Sequence, residues 1–314
     1  MNIIDLELNS LKWEFLFLKF KLTGKKFSFK RYYDKPILGA EDGNKLIQEL
    51  LSKDKPTAIC RIGYNELIST VECIKAKTLG KTRISNKTMK LMCNNAGFFP
   101  AEEEKLFQFS ELMQDVLQDV DLLGVWNNKQ EDLVVREFMK KATLCELRGL
   151  EPYYFEDAWT KSLEGKKVLV IHPFITSIAR QYEQREKLFS NKAILPKFNL
   201  ITQRAVQTVA GEKDDRFSDW FEALEFMYNE ALKVDFDIAI IGCGAYGLPL
   251  AVKIKRAGKK AVHMGGATQI LFGIKGNRWD NHPVISKLYN DNWIRPLDEE
   301  KPQKSKNVEN GCYW

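Results

Sequence analysis

Two runs in this chain are apolar at almost every position: Val168-Leu169-Val170-Ile171 and Ile238-Ala239-Ile240-Ile241. A strand with one wet face alternates apolar and polar residues, whereas a strand without alternation is buried on both faces, as in the interior of a parallel sheet. Around these runs, strand and helix patterns take turns from about residue 56 onward. Strands are expected over 57–62, 122–126, 166–172, 198–202, 237–242 and 260–264. Helices are expected over 66–77, 101–120, 131–147, 176–188, 219–234 and 249–256. Such alternation implies βαβ units: an α/β, Rossmann-like chain with a mainly parallel sheet and helices on both faces.

The chain of 314 residues is 44% hydrophobic and 29% charged, which excludes disordered, collagenous and disulfide-scaffold classes and leaves room for a sizeable core. Its 48 basic against 42 acidic residues give a net charge of +6, too small an excess to indicate nucleic acid; it suits anionic small molecules or a lipid surface. The six cysteines form no C-x-x-C pair and sit in or beside apolar runs, the usage expected of a reducing cytoplasm. The start, Met-Asn-Ile-Ile-Asp-Leu-Glu, lacks the basic region of a signal peptide, and no apolar run approaches the roughly 20 residues a bilayer span needs.

Three parts are expected: an N-terminal helix within 1–35, a Rossmann-like unit over 36–296 and a tail over 297–314. In residues 3–22, Leu8, Leu11, Phe15, Leu18 and Leu22 recur at helical spacing. Trp13, Phe17 and Phe20 widen that face, and Lys25, Lys26, Lys30 and Arg31 follow. A basic amphipathic helix of this kind can lie on a membrane surface, which would make the protein peripheral on its inner face, or pack on its own core or a twin subunit in a homo-oligomer. The tail is polar until Cys312-Tyr313-Trp314, an apolar end suited to folding back into a groove.

The candidate chemistry sits at strand ends. Gly242-Cys243-Gly244-Ala245-Tyr246-Gly247 is a G-x-G-x-x-G between a strand and a helix, where glycines let backbone amides approach a diphosphate. The strand at 260–264 offers no acid for a ribose, which weakens an NAD(P)-dependent oxidoreductase as the alternative reading. His172 closes another strand, Thr176 or Ser177 can cap the next helix, and Arg180 follows along it. Gly265, Gly266 and Gln269 repeat the strand–glycine–helix theme, and Lys275, Arg278 and Trp279 lie in a glycine-flanked loop able to grip phosphate and stack on a base or sugar. In the first half, Arg61, Gly63, Asn65 and Glu66 bring a cation, a bend and a carboxylate to a helix head; Glu66 is either a base, a metal ligand or a helix-dipole partner.

The segment Arg61-Ile62-Gly63-Tyr64-Asn65-Glu66 resembles the R-F-G-D-G-E segment of bacterial glycosyltransferases of the GT-D type. His172-Pro173-Phe174, the 242–247 and 265–269 motifs, the 273–279 loop and the terminal E-N-G-C-Y-W at 309–314 resemble the rest of that group, over roughly 55–314. The resemblance implies transfer of a sugar from a nucleotide sugar to a glycan or lipid-linked acceptor in bacterial surface polysaccharide or glycoprotein synthesis. Glu66, His172 and Arg278 would be catalytic, with the glycine motifs around the nucleotide. Members carry an Asp-x-Glu motif for Mn²⁺ or Mg²⁺; here Tyr64 stands at the aspartate position, leaving Glu66 as the one matching ligand. A non-catalytic assembly protein, docked through the N-terminal helix, is the third class.

Overall fold

The computed structural model describes residues 1–24, 28–212, 214–308 and 311–314. Lys25 and Lys26 of the basic segment and Glu309 and Asn310 of the terminal motif lie outside them. In chain order the main elements are α1 (Ile3–Thr23), β1 (Arg31–Tyr32), β2 (Lys35–Leu38), α2 (Ala40–Ser52), β3 (Thr57–Arg61), α3 (Tyr64–Thr78), α4 (Asn86–Ala96), α5 (Glu103–Val116) and β4 (Leu122–Val125). There follow α6 (Glu131–Phe138), β5 (Thr143–Glu146), β6 (Lys167–His172), α7 (Ile175–Glu183), β7 (Asn199–Arg204), α8 (Trp220–Leu232), β8 (Ile238–Ile241), α9 (Gly247–Arg256), β9 (Lys260–His263) and α10 (Thr268–Leu271).

Nine strands form one sheet in the order β1-β2-β5-β4-β3-β9-β8-β6-β7, parallel throughout except for β1. The α/β reading of the sequence is therefore the fold. The two apolar runs become β6 and β8, neighbours just inside the edge strand β7, with Val168 paired to Ile238 and every residue of β8 buried. Leu67, Phe109, Val134, Leu224 and Leu250, from α3, α5, α6, α8 and α9, cover one face. Ile47, Ile178 and Ile270, from α2, α7 and α10, cover the other. Crossovers stepping one way along the sheet lie on one face and those stepping back lie on the other, as right-handed connections require. The direction changes between β6, which leads out to β7, and β8, which leads back to β9. A crevice opens at the carboxyl ends of strands at such a switch point.

The expected helix over 131–147 departs furthest from its pattern, while those over 101–120 and 176–188 are helical over Glu103–Val116 and Ile175–Glu183. The stretch 131–147 divides into α6 and β5, because Leu144 and Cys145 are buried between β4 and β2 as interior strand residues. An apolar run buried all round looks the same in either structure.

The N-terminal helix is docked. Leu6, Asn9 and Trp13 are buried, and Asp132 at the head of α6 accepts hydrogen bonds from Asn9 Nδ2 (3.0 Å), Lys12 Nζ (2.6 Å) and Trp13 Nε1 (3.2 Å). Trp13 does not widen the Leu8–Leu22 stripe as expected. At 100° per residue it lies about half a turn away, with Phe17 and Phe20 on the same far side. No helix among the described residues is long and apolar enough to cross a membrane.

Candidate active site

A cleft of about 1050 Å³, open to solvent, lies along the carboxyl rim of the sheet and spans the switch point. β3 delivers Arg61 to its wall and the turn into α3 delivers Gly63, Asn65 and Glu66. β6 ends in His172, β8 in Gly242 and Gly244 followed by Tyr246, and β9 in His263 with Gly265, Gly266 and Gln269 beyond it. Arg278 and the tail residues Tyr313 and Trp314 close the far side. Bends more than 200 residues apart in sequence thus meet at one rim.

The glycines are required by what approaches them. A Cβ at Gly63 would lie 2.0 Å from Glu66 Oε2, so the carboxylate folds back over residue 63 at the head of α3. At Gly265, with φ +62°, a Cβ would lie 2.7 Å from Arg61 Nη1. The Arg61 guanidinium therefore passes over bare backbone, its Cζ 4.1 Å from the centre of the Trp126 ring and its Nε buried without a hydrogen-bond partner. At Gly242 a Cβ would strike His172, Thr268 and the Gly265 carbonyl together.

Both cleft histidines are neutral. Burial lowers His172 to about 3, and its Nδ1 accepts the Phe174 N–H at 3.0 Å, which places the ring proton on Nε2. His263 is also lowered to about 3, by burial first and then by the Arg61 charge; its Nδ1 lies 3.3 Å from the Ile241 carbonyl, the tautomer with the proton on Nδ1. Two arginines and one carboxylate, Glu66, are the charged side chains lining the cleft, so its field favours an anion.

Two helices start at the switch point and differ in their caps. The expectation that Thr176 or Ser177 caps α7 is corrected by Glu300, a buried carboxylate from the tail segment. Glu300 accepts the backbone N–H groups of Thr176 (2.7 Å) and Ser177 (3.1 Å) and the Ser177 hydroxyl. That helix end is filled by the protein's own acid. The start of α9, reached through the left-handed Gly244 (φ +58°), has no side-chain cap. Gly242, Gly244 and Tyr246, which lead into it, line the cleft, while Gly247 itself donates its N–H to the Gly244 carbonyl.

Four expected residues stand off the wall. Arg180 is exposed on α7, too far along the helix to turn back. Lys275 sends Nζ over Tyr289 (5.3 Å), while its backbone N–H bonds Ile294. Trp279 is buried against Gly276, 6.1 Å from the Tyr313 ring, and supports the tail. Gly247 is bare because the His263 ring lies 2.1 Å from where its Cβ would be. Gln269 does line the cleft, yet its Nε2 is spent as a staple, donating to the carbonyls of Ile274, Lys275 and Tyr313 (3.1–3.3 Å). Tyr246 stacks on Trp220 (4.7 Å, 6°), its hydroxyl 3.4 Å from Thr208 Oγ1.

Sequence reasoning missed Trp126 and His263. Trp126, 39% exposed, sits one position beyond the last apolar residue of β4. An exposed tryptophan at a strand's carboxyl end was the available signal. His263 occupies the strand-end position searched for a carboxylate.

A divalent ion does not fit the donor set well. Among the described residues no three His, Cys, Asp or Glu side chains cluster, and Glu66 is the single acid on the cleft wall. Mn²⁺ or Mg²⁺ held there would depend on ligand oxygens and water for the rest of its shell.

No family model matches this chain, and no curated protein matches it. Two solved structures of domain of unknown function 1792 resemble it. One is selenomethionine-substituted, with a TM-score of 0.44 and 10% identity; the other is said to have a distinct glycosyltransferase fold, with 0.43 and 13%. Each alignment covers 89% of this chain and 96% of the other.

Proposed function

We propose that the cleft binds a nucleotide-diphosphate sugar and transfers its sugar to a hydroxyl of a glycan or lipid-linked acceptor, in bacterial surface polysaccharide or glycoprotein synthesis. The observation that carries this reading is the meeting of Glu66, Arg61, Arg278 and the Gly242–Gly244 bend in one anion-favouring cleft at the sheet's switch point. The likeness of residues 61–66 to the R-F-G-D-G-E segment points the same way.

In this reading the diphosphate lies against the backbone of Gly242–Gly244 and the start of α9. Glu66 takes the proton of the acceptor hydroxyl as its oxygen bonds the anomeric carbon, and the bond from that carbon to the phosphate oxygen breaks. The electron pair leaves with the nucleoside diphosphate, whose charge is met by Arg61, Arg278 and the Nε2–H of His172. A neutral imidazole serves here as a hydrogen-bond donor and needs no protonation step.

The test is a panel of nucleotide sugars scored for release of free nucleotide, with and without Mn²⁺, on the native protein and Glu66→Gln. Release by the native protein, lost in the variant with its melting temperature unchanged, supports the proposal. Binding of NADH with no response to any nucleotide sugar favours the oxidoreductase instead. Full activity in Glu66→Gln removes that carboxylate from the reaction.

A further inference from the structure

Helix α1 has two faces, and the body of the protein uses one. Leu6, Asn9 and Trp13 are buried against it. On the opposite side Ile4, Leu8, Leu11, Phe15, Leu18 and Leu22 stand in one line, each between 54% and 78% exposed. Spacings of four and three residues alternate along it, and at 100° per residue all six fall within about 40° of a single line some 27 Å long. That is the narrow seam of a coiled coil, with Leu8, Phe15 and Leu22 at its a positions and Ile4, Leu11 and Leu18 at d.

The flanks suit a second copy. In this register Glu7, Glu14 and Lys21 occupy g, and Asp5, Lys12 and Lys19 occupy e. In a parallel pair each g residue faces the e residue five further along the other helix, so Glu7 meets Lys12 and Glu14 meets Lys19 of the second copy, twice by symmetry. An antiparallel pair sets g against g and e against e; it brings Glu7 to Lys21 and Asp5 to Lys19 but places Glu14 and Lys12 each beside its own copy. Three of these charges also bridge to their own body, Glu7 to Lys75 (2.5 Å), Glu14 to Lys129 (3.8 Å) and Lys12 to Asp132 (2.6 Å), so in a parallel pair each is shared between its own body and the second copy. A lipid surface fits less well: the apolar arc is narrow, and the two glutamates border it where anionic headgroups would lie.

We infer that the protein forms a homodimer through parallel pairing of α1 with α1 of a second copy about a two-fold axis along the helices. The dimer is independent of the reaction proposed above.

Sedimentation of the full-length protein at micromolar concentrations should give twice the chain mass, and Leu11→Glu with Leu18→Glu should halve it. Both positions are exposed in the single chain, so the variant should still fold and melt cooperatively, at a temperature lowered only by loss of the second copy. Under oxidation Ile4→Cys and Leu22→Cys should each cross-link to itself. A monomeric native protein, a double variant that stays dimeric, or cross-linking only in a mixture of the two cysteine variants overturns the inference. So does a monomer that co-sediments with vesicles of equal parts phosphatidylcholine and phosphatidylglycerol and loses this in the double variant, which assigns the seam to a membrane.

Discussion

Glu66 is aimed by the absence of a neighbour's side chain. Its carboxylate lies over Gly63, so Gly63→Ala must displace it, and only the flexible end of Glu66 has to move. The expected result is a loss of transfer of at least about tenfold with a stability change within about 1 kcal/mol, read by nucleotide release and thermal melting. Gly242→Ala meets the Gly265 backbone carbonyl as well and should destabilise outright. The neutral histidines give a second measurement. Between pH 5 and 8, nitrogen-detected spectra should show His172 and His263 without titration, protonated on Nε2 and Nδ1 respectively. A midpoint near the ordinary 6.5 for either would contradict the burial that sets them. Residues fixed by backbone geometry were legible in the sequence, since paired glycines at strand ends announce close approach. Trp126 and His263 were not, because a single aromatic or imidazole carries no periodicity. Arg180, Lys275 and Trp279 shared a motif with real wall residues, and sequence proximity could not say which way each side chain turns.

The element that best shows tertiary control is α7, whose cap comes from residue 300. Glu300→Gln keeps the shape but weakens the bonds to Thr176, Ser177 and the Ser177 hydroxyl; Glu300→Ala leaves those donors buried and unmet. The alanine variant should lose about 2–3 kcal/mol in chemical denaturation and the glutamine variant less. Equal losses would mean that the charge at the helix start contributes nothing. A cap from more than 100 residues away leaves no local signature, and the nearby Thr176 and Ser177 offered a plausible wrong one. Much the same holds for β5, whose burial between two strands erased the pattern separating it from α6. The β1–β2 hairpin and the helices α2 and α4 were not read at all. β1 and β2 are only two and four residues long, too short for a period to emerge. The strands β6 and β8 were plain, because a parallel interior tolerates nothing polar.

Over the whole molecule, buried titratable groups pull stability in opposite directions with pH. His172 and His263 bind protons only in the unfolded chain between about 3 and 6.5, so each removes stability as pH falls through that window. Burial raises Glu131 and Glu151 from 4.5 to about 7, so each adds stability that is complete below 4.5 and lost as pH rises toward 7. From 4.5 to 6.5 the two buried histidines and the two buried carboxyls oppose at about 1.4 kcal/mol per pH unit each; His282, lowered by partial burial, adds a smaller pull on the histidine side, and the melting temperature should change little. Below 4.5 the carboxyl contribution is saturated. The histidines then act together with aspartates held low by basic partners, among them Asp115 beside Arg256, Asp235 beside Lys167 and Asp214 beside Arg216, and the melting temperature should fall. A steady decline from pH 6.5 would show that the raised carboxyls are not neutral in the folded protein. The position of the tail has a temporal meaning too. Glu300, Tyr313 and Trp314 are translated after all nine strands, so a ribosome-bound chain can assemble its sheet while the mouth of the cleft still lacks a wall. Folding and competence are then separate events in the life of each molecule, and the second waits on the emergence of this segment.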